Sequence, residues 1–158
     1  MAHHRRRTAP IAALVLASAL IAGPAPAAKP VTPALTPKLD QLLREEMQAI
    51  LEAMNRTYEA LVTGDHTTVA EQAQAIHDSF ILKRELTDAD RKALKEAVPK
   101  RFLKMDRQLH TSAAELAEAA RAGSTQRELA IFQRMTHACV QCHTEFVGDR
   151  FPAINQPQ

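Results

Sequence analysis

Between Leu39 and Leu61 the apolar residues fall at Leu39, Leu42, Leu43, Met47, Ile50, Leu51, Met54, Tyr58 and Leu61, with polar residues between them. That spacing is a helical stripe and has no place in a strand. Thr36 before Pro37 supplies an N-cap followed by a proline at the first helical position, and Gly64-Asp65 supplies the stop. A helix of about 27 residues, roughly 40 Å long, must find partners of similar length to bury its stripe. The rest of the chain offers them. A second helix is expected from Thr67 to Lys83, with Val69, Ala73, Ile76, Phe80 and Ile81 inward. Thr87-Asp88-Ala89-Asp90 resembles a capping box and opens a short helix that ends before Pro99. A further helix runs from Lys100 to Ala122 with Phe102, Leu109, Ala113, Leu116 and Ala120 inward. The last starts at Ser124 or Thr125 and carries Leu129, Phe132, Met135, Cys139, Cys142 and Phe146. No stretch alternates with period two. Four long amphipathic helices joined by short connections predict an all-α, antiparallel four-helix bundle.

Ahead of the bundle, residues 1–27 read as a secretory signal: Arg5, Arg6 and Arg7, an apolar run from Ile11 to Ile21, and Ala25-Pro26-Ala27 as the cleavage motif. The run is too short to span a bilayer, and no other segment could. Removing residues 1–27 leaves 17 Lys plus Arg against 18 Asp plus Glu, so the formal charge passes from +2 to −1. The basicity belongs to the signal, and nothing argues for nucleic-acid binding. Residues 28–36 are expected as a flexible leader, 37–152 as one domain and 153–158 as a tail. The exported product is expected to reside in the periplasm.

The two cysteines of the chain stand in Cys139-Val140-Gln141-Cys142-His143. C-x-x-C-H is the attachment signature of a c-type haem: two thiols to add across the vinyl groups and an adjacent imidazole for the iron. Export fits, because covalent haem attachment in bacteria follows translocation. A structural disulfide, a zinc site and a thioredoxin-like site fit less well. Zinc would need a fourth ligand from His110 or His77, and a thioredoxin-like site would need strands.

A haem motif on the last helix of a small exported four-helix chain resembles the cytochrome c′ and cytochrome c-556 family, over about Leu39 to Phe151. The resemblance implies haem c anchored on Cys139 and Cys142, with His143 as the proximal iron ligand. It leaves two arrangements for the opposite side. One branch takes a Met from the first helix, and Met47 is at a suitable depth, about ten residues or roughly 15 Å into it. The other leaves the iron five-coordinate and binds nitric oxide or carbon monoxide. His110 is a third option for that position. Arg44 and Phe146 are expected at the haem pocket. Arg44 stands one residue closer to Met47 than the family spacing asks, and Val147 occupies a position where the gas-binding branch tends to be basic. The implied function is single-electron transport between redox partner proteins, without catalysis, because no distal His–Arg pair of a peroxidase is evident. The family often forms homodimers. His137, Glu45 and Glu46 are expected on solvated helix faces.

Overall fold

The computed structural model describes residues 29–81 and 86–155, so the expected signal segment at residues 1–27 lies outside the described residues, as do 156–158 of the tail. Five α-helices are described: α1 (Pro37–Thr63), α2 (His66–Asp78), α3 (Asp88–Ala97), α4 (Lys100–Arg121) and α5 (Thr125–Phe146). α1, α2, α4 and α5 form the all-α antiparallel bundle.

The boundaries of α1 follow from its caps. The Thr36 hydroxyl accepts the Leu39 N–H at its start. Gly64, at φ 74°, adopts the left-handed conformation that closes the helix and turns the chain into α2. At α3 the capping box is complete, with Asp90 in place of the usual Glu: Thr87 Oγ1 accepts the Asp90 N–H, and the Asp90 carboxylate accepts the Thr87 N–H.

α2 departs from expectation. It ends at Asp78 rather than near Lys83, with Ser79 as C-cap. Its last carbonyls lack helical partners, and the Ile76 carbonyl accepts both the Ser79 hydroxyl (2.9 Å) and the His110 ring (2.6 Å). α2 therefore spans only about half the height of α1 at 1.5 Å per residue. The connection after it, with Phe80, Ile81, Leu86, Leu94 and Val98 buried, closes the other half.

Packing is closest between α2 and α4, α4 and α5, and α1 and α2, whereas α1 and α5 meet at few points. The start of α1 and the end of α5 are joined across their tips. The Val31 N–H donates to the Phe146 carbonyl at 2.9 Å, and Arg150 pairs with Asp40. The segment expected as a flexible leader is thus docked: Val31 is buried and Thr32–Ala34 form a 3₁₀ turn. A second 3₁₀ turn, Pro152–Asn155, occupies the start of the expected tail.

The interior divides in two. The far half collects Ile50, Ala53, Met54, Ala60 and Leu61 of α1 with Val69, Ala73 and Ile76, Leu109 to Ala120, and Ile131 and Met135. The near half collects Val31, Leu39, Leu43, Phe80, Ile81, Leu86, Leu94, Val98, Phe102 and Phe146. Leu51, Tyr58 and Leu129, expected inward, are instead 62%, 62% and 53% exposed. The inward row of α1 is Leu39, Leu43, Glu46, Ile50, Ala53, Thr57 and Ala60. It advances by alternating steps of four and three, and the three outliers fall outside such a seam.

Candidate haem site

Cys139 and Cys142 stand three residues apart on α5, close to one helical turn, so both sulfurs project from one face. Cys139 packs against the far core and Cys142 against the near core. The pair thus straddles the boundary between the two halves, on a helix that meets α1 at few points. Both are free thiols. Burial raises the Cys139 pKa. The Cys142 thiol is pushed up to about 12, by burial first and then by the negative charge of Asp106, Cys139 and Glu145. Both are therefore neutral thiols rather than thiolates at neutral pH.

His143 follows in the last turn of α5 and is half-buried. Its ring stacks on Phe151 with centroids 4.9 Å apart and planes 17° from parallel. Burial lowers its pKa, which favours the neutral imidazole, the form that ligates a metal. Phe146, one turn away, is buried and meets Phe102 edge-on at 5.5 Å. The donor set fits haem c: two uncommitted thiols on one helical face and a neutral imidazole beside them.

Of the other expected site residues, Met47 is half-buried on α1 and packs against the far core, the same cluster that Cys139 touches. Met54 is buried deeper within it. Arg44, expected at the pocket, lies on the outside, where its guanidinium donates to Asp40 one turn back at 2.7 and 2.9 Å. His137 is exposed, as expected. His66 binds the buried carboxylate of Glu128 at 2.7 Å.

Glu46, expected in solvent, is 1% exposed. It belongs to a buried group with Asp106 and His110. His110 Nε2 lies 3.3 Å from Glu46 Oε1 and 3.6 Å from Asp106 Oδ1. Neither approach is aligned as a hydrogen bond, so Nε2, both Glu46 oxygens and Asp106 Oδ2 are buried without a hydrogen-bond partner. Burial raises the Glu46 pKa, against the opposing pull of His110. Burial alone would lower that of His110, but the carboxylates of Asp106 and Glu46 and the Ile76 carbonyl outweigh it and push it up to about 9. The sequence held a signal for this group. Glu46 sits in the four-three seam of α1. Asp106 sits in the corresponding seam of α4, with Phe102, Leu109, Ala113, Leu116 and Ala120. Reading only the apolar residues passed over both.

The sequence model of the family described as cytochrome C′ matches residues 39–147, more than half the chain. The chain belongs to the cytochrome c′ family. Comparisons with curated proteins and with solved structures returned no match. Membership makes this a c-type haem protein of electron transfer or gas binding, in a family that is generally not enzymatic. The matched span takes in all five helices, apart from the first two residues of α1, and the whole C-x-x-C-H motif. No described helix is long and apolar enough to cross a membrane.

Proposed function

We propose that this chain is an exported, periplasmic single-electron carrier whose haem is tethered through Cys139 and Cys142 and ligated by His143 and Met47. The observation that carries the reading is that Met47 of α1 and Cys139 of α5 pack against the same apolar cluster. The rival ligand His110 is otherwise engaged. Its Nδ1–H donates to the Ile76 carbonyl, and its Nε2 faces Glu46 and Asp106.

Haem c supplies a one-electron couple when bound, and thioether ligation of its iron raises the potential. The protein's part is positional. Cys139 and Cys142 fix the macrocycle to a rigid helix. The burial-neutralised His143 presents a ring nitrogen, with Phe151 stacked on its face. Met47 offers a soft sulfur without a proton to gain or lose. Redox partner proteins are then the natural counterparts, and a homodimer is compatible with the exposed row of Leu51, Tyr58 and Val62 on α1.

The test is the optical spectrum of the haem-loaded protein, ferric and ferrous, with and without carbon monoxide. A low-spin spectrum with a Met–iron charge-transfer band, lost in Met47→Ala, supports the carrier. A high-spin spectrum that shifts readily with carbon monoxide and is unchanged in Met47→Ala replaces it with the five-coordinate gas binder. A band lost in His110→Ala and kept in Met47→Ala would move the sixth ligand to α4.

A further inference from the structure

We propose that Glu46, Asp106 and His110 form a binding site for one divalent transition-metal ion of the zinc type, separate from the haem iron. The site is drawn from two elements, Glu46 on α1 and Asp106 and His110 one turn apart on α4, and its three ligand atoms lie within 4.8 Å of one another. Apart from the unaligned approach of His110 Nε2 to the two carboxylates, its donors are unsatisfied. The side chains of Glu46 and His110 are 0% and 3% exposed, yet both Glu46 oxygens and His110 Nε2 lack hydrogen bonds. A buried carboxylate that faces an imidazolium without an aligned hydrogen bond is costly, and a metal ion between the three side chains would satisfy all of them.

The geometry and the donor chemistry agree on the class of ion. Ligands about 2.1 Å from a tetrahedral zinc stand about 3.4 Å apart. His110 Nε2 is 3.3 Å from Glu46 Oε1 and 3.6 Å from Asp106 Oδ1. The ring is oriented as metal-binding imidazoles are: its other nitrogen donates to a backbone carbonyl, Ile76, at 2.6 Å, which leaves Nε2 facing the carboxylates, where a metal ion would displace its proton. A dication beside a neutral imidazole and two carboxylates makes a neutral group, which suits a buried position. Calcium, which takes six to eight oxygens, would find one nitrogen and too few oxygens here. Three protein ligands leave the fourth position of a tetrahedral ion to a water.

The test uses the exported, haem-loaded protein, stripped with a chelator, equilibrated with zinc sulfate at neutral pH and dialysed. Zinc and haem are then counted separately per chain. The expected result is one zinc per chain with haem content unchanged, and a zinc X-ray absorption spectrum with a nitrogen and oxygen shell near about 2.0 Å. Glu46→Gln and Asp106→Asn should each lose the retained zinc, while the exposed control His137→Ala should keep it. Three results overturn the proposal: no zinc retained, zinc retained equally in both ligand variants, or a sulfur shell near about 2.3 Å. Sulfur would place zinc on Cys139 and Cys142 of chains without attached haem, which the haem count detects independently. If neither ligand variant folds, judged by circular dichroism, the wild-type shell alone decides.

Discussion

The two halves of the bundle are built to different rules. The far half is an ordinary four-helix core, in which α4 contributes Ala113, Ala117, Ala119 and Ala120, all essentially inaccessible, so α2, α4 and α5 approach closely. The near half has lost one wall, because α2 stops at Asp78. In its place stand Phe80, Ile81 and Leu86 and the short α3, with Phe102 and Phe146 filling the width. Small residues draw helices together; large ones and a missing helix hold them apart. The cysteine pair and the buried Glu46–Asp106–His110 group both lie where one rule gives way to the other. The comparison teaches that the site is made by ending a helix early, not by adding an element.

The largest test of this division is removal of the haem anchors. Cys139→Ala with Cys142→Ala should abolish covalently retained haem, read by haem stain of the denatured chain. The far core contains neither residue as a buried member, so far-ultraviolet circular dichroism should still report a helical chain. Haem still covalently held, or helicity lost entirely, would break the separation.

Next in size is the group at the boundary. His110→Ala leaves two buried carboxylates facing each other and should cost about 3 kcal/mol, in line with breaking a buried pair from one side. The pH dependence of the metal-free wild type has a definite sign. The folded-state pKa of His110, about 9, lies above the unfolded value of 6.5. Its stabilisation is therefore fully present below about pH 6.5 and lost as pH rises through about 9. Burial also raises Glu46 above its ordinary 4.5, a shift of the same sign, so its contribution likewise falls as pH rises. Chemical denaturation in chelator should show the wild type weakening between pH 6.5 and 9, and His110→Ala losing much of that slope. A wild-type curve that strengthens over this range would contradict the assigned environment.

In the far half the cost is one of packing alone. Leu116 is fully buried in the far core, so Leu116→Ala should cost about 3 kcal/mol. It should do so at every pH and leave the haem spectrum unaltered. A spectral change would show that the two halves are mechanically coupled.

How much of this the sequence revealed depends on which rule governed each segment. α1 was legible to the residue because its signals are local: Thr36-Pro37 at one end, Gly64 at the other. The thiols and His143 were legible because the motif is contiguous. α2 was misjudged by about five residues because its terminator is tertiary. The ring that takes the Ile76 carbonyl comes from α4, 34 positions away. Leu51, Tyr58 and Leu129 were placed inside by hydrophobicity, and Glu46 outside by charge. In each case position in the seam, set by two neighbouring helices, overrode side-chain character.

The smallest effect belongs to the near half's replacement wall. α3 has ten residues, too short to be stable on propensity alone, so its caps carry unusual weight. Thr87→Ala removes the acceptor for the Asp90 N–H and should cost about 1 kcal/mol. Asp90 is held at about pH 2, well below its ordinary 3.8, first by the Lys38 ammonium at 2.5 Å and then by Thr87. Its contribution is present above about pH 3.8 and lost as pH falls through about 2. The Thr87→Ala deficit should therefore hold from neutral pH down to about 4 and shrink below it, as protonated Asp90 gives up its half of the box. Because Lys38 reaches Asp90 from α1, the same acid step also releases α3 from the first helix. A deficit that persisted unchanged at pH 2 would mean that the Thr87 hydroxyl's hold on the Asp90 N–H, and not the Asp90 carboxylate, carries the cap.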